Sequence, residues 1–102
     1  MVKMIFVYWR DIPSQVIVQR GRQRAKSMLS ARFQEAIDRA AMRAGKGSSD
    51  AYIAEWRRET VRDACDDDLS SIAAREASRF ESEFSDESLR ALVRNHGMAA
   101  GR

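Results

Sequence analysis

The stretch from Ile5 to Arg20, Ile-Phe-Val-Tyr-Trp-Arg-Asp-Ile-Pro-Ser-Gln-Val-Ile-Val-Gln-Arg, constrains the fold more than any other part of the chain. It holds two runs of β-branched and aromatic residues separated by a break that contains the proline. Ile5, Val7 and Trp9 fall on one side of an extended chain, and Met4, Phe6 and Tyr8 on the other. A strand apolar on both faces belongs at the centre of a sheet or under cover. Asp11-Ile12-Pro13-Ser14 reads as a turn, because proline fixes φ and lacks a ladder donor, and Val16-Ile17-Val18 then supplies the second strand of an antiparallel hairpin.

After Gly21 the polar stretch Arg22-Gln23-Arg24-Ala25-Lys26 leads into a segment whose apolar period becomes helical, at about 3.6 residues. Leu29, Phe33, Ala36, Ile37, Ala40 and Ala44 form one stripe, with Ser27 or Ser30 as its cap and Gly45-Lys46-Gly47-Ser48-Ser49 as the loop that ends it. That loop follows a helix and lacks the glycine spacing of a phosphate loop, so it reads as a linker. Residues Asp50 to Arg58 fit two periods. Tyr52, Ala54 and Trp56 alternate as a strand would, whereas Asp50 as a cap followed by Ile53, Trp56 and Thr60 suits a helix. The strand is the preferred reading for 51–58, since a two-stranded hairpin alone is a poor platform for helices, and Thr60 to Asp66 then becomes a connection. From Asp67 the pattern is helical again. Leu69, Ile72, Ala73, Ala77, Phe80 and Phe84 line one side, and the aspartates sit at the positive N-terminal end. Ser85 caps a further helix, with Phe84 and Leu89 in staple positions and Leu92 and Val93 continuing the apolar face.

The expected architecture is therefore a single α+β domain over residues 1–96, in the order β-β-α-β-α-α, with helices on one face of a small antiparallel sheet. Residues 97–102 are expected to fray. A chain of 102 residues suits one core, and 44% hydrophobic with 32% charged residues is an ordinary globular balance. The longest apolar run, Ile5 to Trp9, is far short of the roughly 20 residues that cross a bilayer, and no cleavable leader is evident. With a lone Cys65 unable to form an internal disulfide, the expected compartment is the cytoplasm.

Charge is unevenly spread. The chain through Asp50 carries a net +6 and the remainder −3, for a total of +3. Arg20, Arg22, Arg24 and Lys26 concentrate the positive charge, and arginine forks suit phosphate or carboxylate groups. If that segment is extended, its even-numbered members share a face. The alternatives are a solvated face or attraction to the acidic half. Phe6, Tyr8, Trp9, Tyr52 and Trp56 serve the core or, where exposed, stack on a flat ligand; Trp9 and Trp56 are each followed by arginine, as at strand ends. His96 lacks a positioned partner in the sequence and suits a helix C-terminus. Cys65 precedes Asp66-Asp67-Asp68, which disfavour a thiolate, and contiguous aspartates lack the spacing of a calcium loop. No catalytic residue, metal site or cofactor is expected.

Ile5-Phe-Val-Tyr-Trp-Arg-Asp-Ile-Pro, Leu29-Ser-Ala-Arg-Phe-Gln-Glu-Ala-Ile-Asp38 and Ala51-Tyr-Ile-Ala-Glu-Trp-Arg-Arg58 together resemble a small bacterial virulence factor domain family, over roughly residues 4 to 94. The resemblance implies an accessory protein without assigned chemistry, in a virulence-related pathway or in corrinoid- and folate-linked methyl transfer. The functional expectation is a non-enzymatic module binding a partner protein through Arg10, Arg20, Arg22, Arg24, Lys26, Trp56 and Arg57, with homodimerisation through a short edge strand. The alternatives are nucleic-acid binding through residues 20–26 and a subunit that completes another enzyme's active site.

Overall fold

The computed structural model describes residues 1–99. Four strands form one antiparallel sheet: β1 (Val2–Trp9), β2 (Ile12–Arg20), β3 (Gln23–Met28) and β4 (Trp56–Asp63), in spatial order β3-β2-β1-β4. Four helices complete the domain: α1 (Ala31–Arg43), α2 (Ser49–Ala54), α3 (Leu69–Glu83) and α4 (Asp86–Arg94). The class is α+β with a small antiparallel sheet, as expected, and two elements enlarge the expected order.

The first addition is β3. Arg22 to Lys26 was expected as a polar lead into a helix, but Gln23–Met28 pairs with β2, Gln19 opposite Arg24 and Ile17 opposite Lys26. The strand has no apolar alternation to announce it, because it is an edge and one of its faces is solvated. The second is at 51–58, where both periods are present in succession. Ser49–Ala54 is a short helix and β4 starts only at Trp56, so Tyr52 is helical and the strand runs on through the expected connection to Asp63.

The first turn also lies earlier than expected. Trp9 pairs with Ile12, so the hairpin turns at Arg10-Asp11, with Arg10 at φ 53. Pro13 is inside β2, where a bulge shifts the register so that Val7 faces Gln15 and Tyr8 faces Pro13. β3 begins to pair with β2 only at Gln15, and on the β1 side Pro13 sits at the bulge, where a missing ladder donor is tolerated. Arg10 is held in its left-handed conformation by its own N–H donating to the Glu55 carbonyl and its guanidinium bonding to Glu55 and the His96 carbonyl.

The main core lies between the sheet and the helices. Val2, Phe6, Val16 and Val18 from the strands meet Phe33, Ala36, Ile37 and Ala40 of α1, Leu69, Ile72, Ala73, Ala77 and Phe80 of α3, and Leu89 of α4. These helical stripes are the ones the 3.6-residue period gives. Trp9 is fully enclosed, stacked on Tyr52 at 5.9 Å and donating its indole N–H to the Tyr52 carbonyl. Asp68 and Ser85 cap α3 and α4 by accepting from Ser71 N–H and Ser88 N–H. Ser30 stands at the N-terminus of α1, bonded to the Glu81 carboxylate instead of capping.

The tail expected to fray from Gly97 is tied down as far as Ala99. Gly97 is at φ 84 against the Trp9 ring, where an added Cβ would meet Cζ3 at 3.0 Å, and Ala99 N–H donates to Asp11. The rest of that tail lies outside the described residues. No helix among the described residues is long and apolar enough to cross a membrane.

Candidate binding surface

The helices cover one face of the sheet and leave the other open. In an antiparallel ladder, residues directly opposite one another share a face. Three rows therefore run across all four strands on the open side: Arg24-Gln19-Lys3-Arg62, Lys26-Ile17-Ile5-Thr60 and Met28-Gln15-Val7-Arg58. Five of these side chains are cationic, Lys3, Arg24, Lys26, Arg58 and Arg62, and none is a carboxylate. None of the five forms an ion pair or side-chain hydrogen bond among the described residues. The arginines and lysine of β3 and β4 border the face, about 14 Å apart across three strand spacings.

The centre of this face is apolar but concealed. Ile5, Val7 and Ile17 form a second, smaller cluster, at 7%, 7% and 2% exposure, with no helix above them. The stems of the surrounding long polar side chains shield them, leaving the charged heads uppermost. Trp56 touches both clusters at the start of β4 and meets Tyr52 edge to face at 5.7 Å. With Val7, Gln15, Arg57 and Arg58 it lines a cavity of about 250 Å³. Gln15 Oε1 is buried without a hydrogen-bond donor among the described residues.

The residues expected to act together are divided by this geometry. Arg24 and Lys26 belong to the open face, and Trp56 stands at its margin, packed against both clusters. Arg22 is exposed in the β2–β3 turn. Arg20 lies on the covered side and donates to the Cys65 and Asp67 carbonyls, fixing the approach to α3. The even-numbered series does not share one face because the turn at Gly21-Arg22 sets Arg20 opposite Gln23, which inverts the alternation for β3. Arg10 is committed to Glu55 and the His96 carbonyl. Arg57, beside Tyr8 on the covered side, donates to the Arg10 carbonyl, Asp11 and Glu59 and lies 4.3 Å from the Tyr8 ring centroid. Burial works against its charge, but the bonds with Glu59 and Asp11 outweigh that and raise its pKa. Sequence reasoning missed Lys3, Gln15, Gln19, Arg58 and Arg62. The register of β4 is the signal that joins them, and it depends on where that strand starts.

The remaining reactive side chains are dispersed. His96 is exposed in a left-handed turn after α4, at φ 62. Cys65 is free and half-buried, and Asp67 is held below its usual pKa by its hydrogen bond with Arg75. Among the described residues no three His, Cys, Asp or Glu side chains are grouped to hold a metal ion. A second cavity, of about 240 Å³ between α1 and α4, is lined by Arg32, Arg39 and Arg90 but also by Glu35 and Asp86, so its charge is mixed.

The family model for virulence factors matches residues 7–93, from the middle of β1 to the end of α4. The chain belongs to the virulence factor family. The matched span includes β2, β3 and β4, so the open face of this virulence factor domain is built almost wholly from family sequence, with Lys3 and Ile5 just before it. Neither the curated proteins nor the solved structures contain a match to the chain.

Proposed function

We propose that this domain is a non-enzymatic binding module whose contact surface is the open sheet face and whose partner is polyanionic. The observation that carries this reading is the charge of the face: among the described residues, five cations without carboxylate partners and no acidic residue in the rows they share. Elsewhere in the chain arginines are consumed by the fold, as Arg10, Arg20, Arg32, Arg57 and Arg79 are by carboxylates and carbonyls. Cations that stabilise nothing in their own chain are available to a partner, and a carboxylate-free field draws anions. As an accessory protein, in a virulence-related or a one-carbon pathway, the domain would act by holding that partner.

Self-association along β4 is disfavoured by the same pattern. Two copies paired antiparallel about Thr60 place Arg58 opposite Arg62, about Val61 place Glu59 opposite Asp63, and about Glu59 place that carboxylate opposite itself. The registers about Val61 and Glu59 set like charges together, and the one about Thr60 offsets its Arg58–Arg62 clash only by Arg57 opposite Asp63, so none gains from charge and the reading takes the face as presented by a monomer.

Retention on a heparin column tests the surface. Lys26→Glu/Arg58→Glu/Arg62→Glu is compared with Arg39→Glu/Arg43→Glu/Arg90→Glu, which removes equal charge from exposed positions on the helical side. The open-face variant should elute at far lower salt than both the control and the wild type. Equal elution of the two variants would mean that net charge alone governs retention and would remove the open face as the site.

A further inference from the structure

We infer that the occupant of the open face is a single-stranded polynucleotide, with one base seated in the cavity formed by Val7, Gln15, Trp56 and Arg58; this rests on the open face being the binding surface.

The kind of surface exposed separates nucleic acid from an acidic protein. A protein interface is anchored by apolar or aromatic side chains that lose their water, and its core is depleted of lysine. Here the apolar residues are already beneath the surface, Ile17 at 2% exposure, and Met28 at one corner is the exception, at 58%. What faces outward is Lys3, Arg24, Lys26, Arg58 and Arg62 with the amide of Gln19 between them. That mixture of many cations, an amide able to donate and accept, and little exposed hydrocarbon is the composition of a nucleic-acid interface. The cations border the sheet on both sides with Lys3 between, so a strand crossing from β3 to β4 meets positive charge along its path.

The cavity argues for a single strand over a duplex. Its volume of about 250 Å³ accommodates a flat ring, Trp56 supplies an aromatic wall, and Gln15 contributes an amide to the lining, its Oε1 without a donor among the described residues. Arg58, on the same rim, supplies donors. A base edge carries both donors and acceptors and, once unstacked, can satisfy both side chains. Duplex DNA is read by a helix or a narrow two-stranded ribbon that enters a groove, and the open face is a broad four-stranded sheet from which no helix projects. A second copy is excluded by charge, since two carboxylate-free faces repel.

Fluorescence anisotropy with the full chain and labelled 12-nucleotide RNA and DNA single strands of one sequence, and with the matching duplex, tests the inference between about 50 and 200 mM salt. Three to five phosphate contacts give a slope of log affinity on log salt of about −2 to −3.5, and thus a loss of roughly 20- to 130-fold over that range. Replacing Arg58 or Arg62 by Gln should reduce the slope by about 0.7 each. Gln15→Leu should weaken binding and leave the slope unchanged, because it alters the cavity and no charge; urea unfolding of each variant verifies that the fold persists. Equal affinity for RNA and DNA assigns recognition to phosphates and bases, and a preference for RNA adds the 2′-hydroxyl. Tighter binding of the duplex, slopes indifferent to Arg58 and Arg62, or no binding at about 50 mM salt would each overturn the inference. If heparin retention still depends on the open face, the polyanion-binding reading survives with an acidic protein as occupant; if that dependence is lost too, both readings fall.

Discussion

Arg57 and Arg58 are adjacent on β4 and have opposite fates. Arg57 faces the helical side, where it donates to the Arg10 carbonyl, Asp11 and Glu59 and packs on Tyr8. Arg58 faces the open side, opposite Val7, and has no such partner among the described residues. The pleat alone separates them, because successive side chains of a strand point to opposite faces. The same contrast holds across the sheet. On the covered side the strands' apolar residues are locked between helices and the cations close turns and helix ends. On the open side apolar residues lie under side-chain stems and the cations are left over. One face holds the domain together, and the other is available for recognition.

Core truncation separates the faces most sharply. Trp9→Ala removes an enclosed indole, its stack on Tyr52 and its bond to the Tyr52 carbonyl, at a cost of about 3–5 kcal/mol. Ile17→Ala on the open face should cost about 2 kcal/mol, the low end for such a truncation, because flexible stems can settle into the space that rigid helices could not. Urea unfolding followed by tryptophan fluorescence and circular dichroism measures both. Equal costs would mean that the open face is packed as rigidly as the core, and its concealed apolar centre would then be structural rather than a floor beneath a binding site.

The arginine pair comes next in size. Arg57→Ala should destabilise the domain by about 2 kcal/mol, since hydrogen bonds to charged groups are lost at the β1–β2 turn. Arg58→Ala should change stability by no more than about 0.5 kcal/mol. For polyanion retention the ranking should reverse, with Arg58→Ala eluting earlier than Arg57→Ala. A destabilised Arg58→Ala would reveal a structural duty for the open face and erase the distinction.

How much of this was legible follows from the physics of each segment. The helical stripes Phe33-Ala36-Ile37-Ala40 and Leu69-Ile72-Ala73-Ala77-Phe80 were readable because burial on one side imposes a period. β1 was readable as central because both of its faces carry apolar clusters. β3 was not, since Gln-Arg-Ala-Lys-Ser-Met owes its strand to hydrogen bonds from β2 rather than to its own pattern. The start of β4 was ambiguous because Tyr52 and Trp56 flank a helix-to-strand junction while packing on one another. Misplacing that junction conceals the site: only with Trp56 opposite Trp9 do Arg58 and Arg62 align with Val7 and Lys3. Residue type was informative about chemistry, but which arginines were free depended on register, and register is a tertiary property.

The smallest effect concerns acid. Glu81 accepts from Ser30 N–H and Oγ and from Arg32, on the helical side of the molecule. Burial opposes its charge, but these bonds prevail and its pKa lies below the usual carboxylate value. A carboxylate depressed on folding contributes stability that is complete above its unfolded pKa of about 4.3 and is lost as pH falls through the lower folded value. Glu55, depressed chiefly by its bond to Arg10, acts in the same direction. Stability should therefore decline on acidification below about pH 4.5, and Glu81→Gln should start lower at neutral pH and decline less steeply, so that the two curves converge. Replacing Lys26, Arg58 and Arg62 by Gln should leave the shape of the acid limb unchanged, because no carboxylate shares their face and no proton uptake there is linked to folding. A flattened limb in the open-face variant would show that its cations do pair with acidic groups of the fold, and the separation between a structural face and a spare one would fail at its electrostatic root.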